Sequence, residues 1–354
     1  MHRAAYMGDV HRVMTCLQEN PGINLDALSA DGSSALYIAC TNGHSSVASV
    51  LIRAGADANL RCGPTELTPL HASVSGGHIG MLRQLVEAGG DLSIRASRGL
   101  AVAHLAVLAD SQEGLHEVVK LGADLDVQDH CGMTALMICA GYPNTENASG
   151  KAQILLNGGA HLDLVDAKGE TALLFAVNSE NYGVLQVLLD AGASLTDRSS
   201  AGETAVMTAA ANGYLEVVRL LCDAGADLSD RNSMDYTPLM MAATNGHSKV
   251  VQLLRDAGAD ISDHDGAGVT ALVVAAYEGK LEMVQYLIEA GASIMPVIAT
   301  GASPLQAAAV NGHTEIVQEL ISAGADVNHS SREFNVGMTA MHLAAGESHV
   351  DTVR

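Results

Sequence analysis

Residues 235–260, DYTPLMMAATNGHSKVVQLLRDAGAD, read as one complete structural unit. Thr237 is a good N-cap, and Pro238 suits the first helical turn, where its missing N–H costs nothing. Leu239, Met240, Ala242 and Ala243 give the first helix an apolar, small-residue face. Asn245-Gly246 ends it, because both residues enter the left-handed region cheaply. A second helix is expected from Ser248, with Val250, Val251, Leu253 and Leu254 on its buried stripe. Gly258 closes that helix, and Ala259-Asp260 leads into an extended turn.

One such hairpin cannot hide its own apolar face, so it must stack on copies of itself. The capping residue recurs at Ser34, Thr68, Ala101, Thr134, Thr171, Thr204, Thr237, Thr270, Ser303 and Thr339, at intervals of 34, 33, 33, 37, 33, 33, 33, 33 and 36. The closing glycine keeps the same beat at Gly55, Gly89, Gly122, Gly159, Gly192, Gly225, Gly258, Gly291 and Gly324. This period, with Thr-Pro-Leu-His at residues 68–71, resembles the ankyrin repeat over essentially the whole chain. The resemblance implies an all-α solenoid of stacked helix-turn-helix units with β-hairpin-like loops, curved around a concave groove. Residues 1–354 are expected to be a single array: an incomplete repeat over 1–29, nine full repeats over about 30–332 and an incomplete one over about 333–354. Met1-His2-Arg3 matches the middle of a first helix and the chain stops inside a second helix, so the expectation is an array cut from or embedded in a longer protein.

The regular pattern breaks in few places. Ala101 replaces the capping hydroxyl, which weakens that helix start by about 1 kcal/mol. A four-residue insertion falls in the polar, turn-rich stretch 143–150, and three extra residues lie within 330–335.

Composition narrows the function. Trp is absent and Phe occurs twice among 354 residues, so the core must be built from Ala, Val, Leu and Met. With 18 Lys and Arg against 40 Asp and Glu, the net charge of −22 repels phosphate backbones and anionic membranes and favours a basic partner. Part of that acid is periodic, at Asp57, Asp91, Asp124, Asp227, Asp260 and Asp326, and reads first as a solvated edge that keeps a long array soluble. The six cysteines show no CxxC and no paired framework, which points to a reducing compartment, cytoplasmic or alternatively nuclear. No apolar run has the length of a membrane span.

Catalytic and metal motifs fail on spacing. The fifteen histidines contain no HExxH pattern. His71, His104 and His342 sit in the Thr-Pro-Leu-His slot, and His44, His78, His247 and His313 follow the inter-helix glycine; resemblance to the family implies structural roles, with the imidazole bonding within the turn. Asp263-His264-Asp265-Gly266 lacks the carboxylates of a calcium loop, and Gly266-Ala267-Gly268 lacks the third glycine of a dinucleotide fingerprint. No nucleophile–base pairing emerges, so neither enzyme activity nor a cofactor is expected.

What the resemblance implies instead is a binding surface. In ankyrin-like arrays the exposed end of each first helix and the loop tip before each cap face a partner. Carried over slot by slot, the helix-end candidates are Tyr142, Asn178, Asn212, Asn245, Tyr277, Glu278 and Asn311. The residues just before the caps are expected to be exposed, and Tyr236 and Val269 join the candidates with neighbouring Met234. Met295, Val297, Ile298 and Phe334 are apolar at loop tips that are polar in regular repeats, such as Ser262-Asp263-His264-Asp265. They read either as a second patch that docks a partner or a following segment, or as two tips covering each other in a local mini-core. The expected function is a monomeric protein-interaction scaffold for a protein or peptide, basic by charge. The alternative is the recruiting or regulatory ankyrin domain of a larger enzyme or ion channel.

Overall fold

The computed structural model describes residues 1–109, 111–142, 147–295, 301–330 and 337–353. Among the described residues there are 22 α-helices and no named strand. The loops carry two isolated antiparallel bridges, Cys62 with Leu67 and His264 with Thr270. The all-α solenoid expected from the repeat is therefore what forms, and its hairpin-like loops pair only briefly.

The opening stretch folds as its residues dictate. Thr237 accepts a hydrogen bond from the Met240 amide, and the first helix runs Pro238–Asn245 until Gly246, in the left-handed region at φ 81°, reverses the chain. The second helix runs Ser248–Asp256. It buries Val250, Val251 and Leu254, each of the order of 1.5–3 kcal/mol of transfer free energy. Leu253 is only half-buried, a correction to the expected stripe: it turns toward the helix flank rather than the core. The first helix is more deeply enclosed, with Leu239, Met240, Ala242 and Ala243 at most 1 % exposed.

Contacts divide the chain into two compact bodies, Met1–Ala193 and Ser194–Arg354. Inside each body, first helices pack on the first helices of neighbouring repeats and second helices pack on second helices. Alanines on the first-helix faces allow that close approach.

The histidines after the inter-helix turns bind differently from the expectation. Their Nε2 atoms reach across to the preceding repeat instead of bonding within their own turn: His44 to the Tyr6 carbonyl (3.0 Å), His247 to Ala211 (3.0 Å), His313 to Tyr277 (2.9 Å) and His349 to Val310 (3.1 Å). These carbonyls end first helices and lack an intrahelical partner, so each imidazole satisfies an orphan acceptor. The Thr-Pro-Leu-His histidines do bond locally, and His71 Nδ1 accepts from the Thr68 amide at 3.2 Å. At Ala101 the same device survives without a capping hydroxyl: His104 Nδ1 accepts from the Ala101 amide at 2.9 Å, and its Nε2 meets the Met133 carbonyl at 3.0 Å.

Of the inserted stretch 143–150, the helix Ala148–Asn157 takes up the last three residues, which were expected to be loop. Pro143 to Glu146 lie outside the described residues. The periodic aspartates are exposed and form Asx turns, as when Asp260 accepts from the Ser262 amide at 2.8 Å and Asp57 from Asn59 at 2.8 Å. Each caps the extended segment after a closing glycine.

Candidate functional site

The loop before Thr237 is templated by one buried side chain. Asn232, 7 % exposed, accepts from the backbone amides of Met234 and Tyr236, both at 3.0 Å, while its own amide donates to the Tyr236 carbonyl at 3.1 Å. Met234 is thereby pushed into solvent, 61 % exposed, with Tyr236 half-buried beside it. The next loop repeats the device: Asp265 accepts from Ala267 (2.9 Å) and Val269 (2.8 Å). Asp235 joins the two loops by accepting from the Gly266 amide at 2.9 Å. The residues before the caps, expected to be exposed, are half-buried at Met133, Glu170, Glu203, Tyr236 and Val269, because these bonds fold each tip back over its helix.

Facing these loops is the first helix Ala271–Tyr277. Val273 and Val274 are 5 % exposed, and Tyr277, in its last turn, is 47 % exposed. The Tyr277 carbonyl is held twice, by His313 at 2.9 Å and by the Asn311 amide at 2.8 Å. Between these parts lies a hollow of about 590 Å³, lined by Met234, Tyr236, Val269, Val273, Tyr277 and Glu278, with Thr244, Ala267, Val274, Gly301, Ala302 and Ala307 completing it.

The hollow follows from a gradient of side-chain size. In the slot before the cap, successive repeats carry Tyr236, Val269 and Ala302; four residues after the cap they carry Met241, Val274 and Ala307. Each step removes bulk; Met241 is buried behind the lining, while Tyr236 and Val269 make the large side of the walls and Ala302 and Ala307 the small one. Its chemistry is mostly apolar and aromatic, as in sites that hold a ligand by area and orient it by a few polar groups. Thr244 can serve only as an acceptor there, because its hydroxyl donates to the Met240 carbonyl at 2.8 Å. The Tyr236 hydroxyl is raised above the usual tyrosine range by burial first, then by the negative charges of Asp265 and Glu278 and by Tyr277. It stays protonated at neutral pH and keeps both donor and acceptor capacity.

Five residues singled out from the sequence thus meet in one place: Met234, Tyr236, Val269, Tyr277 and Glu278. The others do not join them. Tyr142 is 54 % exposed and Asn178 is exposed, both in the first body. The amides of Asn212 and Asn245 turn back onto their own helices, to Thr208 (2.9 Å) and Met241 (3.0 Å), and that of Asn311 is taken by Tyr277. Met295 is 42 % exposed and is not part of the lining. Val297, Ile298 and Phe334 lie outside the described residues. Sequence reading missed Ala302 and Ala307, whose contribution is the space they leave. Among the described residues, no group of three or more His, Cys, Asp or Glu is placed to hold a metal, and no helix is long and apolar enough to cross a membrane.

A family model described as ankyrin repeats (3 copies) matches residues 1–96, 103–199, 195–265, 231–298 and 272–354, nearly the full chain. The chain belongs to the ankyrin repeat family. Among curated proteins, this ankyrin array is similar to the human SH3 and multiple ankyrin repeat domains protein 2, 27 % identical over 180 residues. That match covers 51 % of this chain and 9 % of the relative, so the ankyrin chain spans a small part of that protein. Among solved structures it is similar to the ankyrin repeat domain of Bcl-3, described as a unique member of the IkappaB protein family. The two share 32 % identity at a TM-score of 0.58, over 64 % of this chain and 99 % of that one. Ankyrin repeats are, in general, modules for protein–protein interaction.

Proposed function

We propose that this ankyrin array is a protein-interaction scaffold without catalysis of its own, and that the hollow around Tyr236 and Tyr277 is where its partner is anchored. The supporting observation is the convergence of an exposed tyrosine, a half-buried one, an exposed methionine and a valine on one apolar depression, held open by small residues. Tyrosine is among the residues that dominate binding energy, because it buries a large area with only two rotatable angles, and methionine is enriched at the cores of interfaces. The array acts as a cytoplasmic monomer on this reading, and its partner is a protein or peptide.

The test is capture by the intact chain compared with a Tyr236→Ala/Tyr277→Ala double variant. Tyr277 is 47 % exposed and Tyr236 is half-buried, so the double variant should lose some stability yet stay folded, with its melting temperature as the control, while partners are lost. A Tyr142→Ala variant, altered in the other body, serves as control. Retention of the same partners by the double variant would remove the hollow from consideration.

A further inference from the structure

The hollow has an electrostatic character that its apolar walls conceal. Among the described residues, Glu278, exposed at the end of the helix Ala271–Tyr277, is the only ionisable acid or base in the lining apart from the two tyrosines. Among the described residues it has no ion-pair partner. Nearby acids are already engaged. Asp265 caps its own loop, Asp235 caps Gly266, and Asp263 is paired with Arg231. Thr244 has its hydroxyl proton committed to its own helix and offers no charge. A ligand side chain entering the hollow therefore meets apolar surface, two phenol hydroxyls and one unmatched carboxylate, on a chain whose net charge is −22.

We infer that the occupant is an extended peptide segment that seats one aromatic or branched aliphatic side chain between Met234, Tyr236 and Tyr277, with a Lys or Arg close by in sequence placed against Glu278. This inference rests on the reading of the hollow as the partner's anchor point. Geometry favours it. Neighbouring residues of an extended chain are about 3.3 Å apart along its axis, so a basic stem one or two residues from the anchor reaches the rim where Glu278 stands. Charge favours it as well. A cation brought to an unpaired carboxylate gains a charge-assisted hydrogen bond, whereas an acidic segment meets repulsion from Glu278 and from the net negative field. An Arg adds stacking on a tyrosine face.

Selection of a random 12-residue peptide library displayed on phage against the intact chain, followed by fluorescence polarisation with one enriched synthetic peptide, tests this. The expected result is enrichment of an apolar anchor with Lys or Arg within a few positions. Binding should weaken by at least about tenfold on Tyr236→Ala, and by roughly tenfold on Glu278→Lys, with salt lowering the wild-type affinity. Selection repeated on Glu278→Lys should replace the basic residue by Asp or Glu. Because Glu278 is exposed, the melting temperatures of the variants act as folding controls. Enriched peptides with an apolar anchor, sensitive to Tyr236→Ala yet without basic preference or indifferent to Glu278→Lys, overturn the inference and leave the anchor site standing. Peptides indifferent to Tyr236→Ala and Tyr277→Ala overturn the anchor site itself. Failure to enrich any peptide overturns the peptide occupant.

Discussion

The ammonium of Lys151 donates to the carbonyl of Val107 at 2.8 Å, from a side chain 1 % exposed. The same nitrogen reaches the Ala109 carbonyl at 2.7 Å. Lys151 stands eight residues before Gly159, where other second helices place Val47, Val184, Val217 or Val250. It bonds the C-terminal end of the preceding first helix, the same kind of orphan acceptor that His44 or His247 satisfies elsewhere. The partial negative charge of that helix end offsets part of the cost of burying a cation.

Lys151→Met keeps the stem and removes both bonds. Two acceptors are left unmet, so unfolding stability should fall by about 1–3 kcal/mol. The urea midpoint reads this directly. A rise in the midpoint would show that desolvating the ammonium costs more than its bonds return.

His71 should make the array sensitive to mild acid. Burial pushes its imidazole down to about 4 from an ordinary 6.5, and its Nδ1 is already committed as acceptor from Thr68. Below pH 6.5 the unfolded chain takes up a proton there and the folded chain does not. The contribution is thus fully present above 6.5 and lost as pH falls toward 4, on the order of 3 kcal/mol. His104, depressed by burial too, acts in the same direction. Gln306 shows the remedy: in the same slot its Oε1 accepts from Ser303 at 3.0 Å and its Nε2 donates to Met338 at 2.8 Å. His71→Gln should flatten the stability profile between pH 6.5 and 4, measured by denaturation at several pH values.

Ala101→Thr restores a hydroxyl that neighbouring repeats hold at Thr68 and Thr134, both as buried as Ala101. The gain should be about 0.5–1 kcal/mol, with slower amide exchange in the first turn of Val102–Leu108.

Gly279→Ala should damage both fold and site. Gly279 has φ 72°, and a Cβ there would stand 2.6 Å from His313 Cε1. Left-handed strain costs about 1–2 kcal/mol, and displacing His313 leaves the Tyr277 carbonyl with Asn311 as its one remaining side-chain donor among the described residues. Thermal unfolding reads the first effect, and loss of peptide affinity reads the second.

The helices were legible because their signals are local. Thr237-Pro238 starts a helix and Asn245-Gly246 ends one whatever surrounds them. The slots of Met234, Tyr236, Val269, Tyr277 and Glu278 were legible through register together with the family resemblance, and the structure gathers them around one hollow. Asn212 and Asn245 occupy equivalent slots, yet their amides close on Thr208 and Met241. A short amide one turn from a free helix carbonyl bonds inward, and periodicity carries no sign of that choice.

By itself, then, the sequence determined the repeat, its helices, their caps and the residues offered at each loop tip, since all of these depend on a few neighbouring side chains. Tertiary structure decided what only stacking brings together. It set the hollow that Ala302 and Ala307 leave open beside Tyr236 and Tyr277, the reach of His313 to a carbonyl in the preceding repeat, and the burial of Lys151 against Val107. Empty space and long-range acceptors belong to pairs of repeats about 33 residues apart, and no local pattern encodes them.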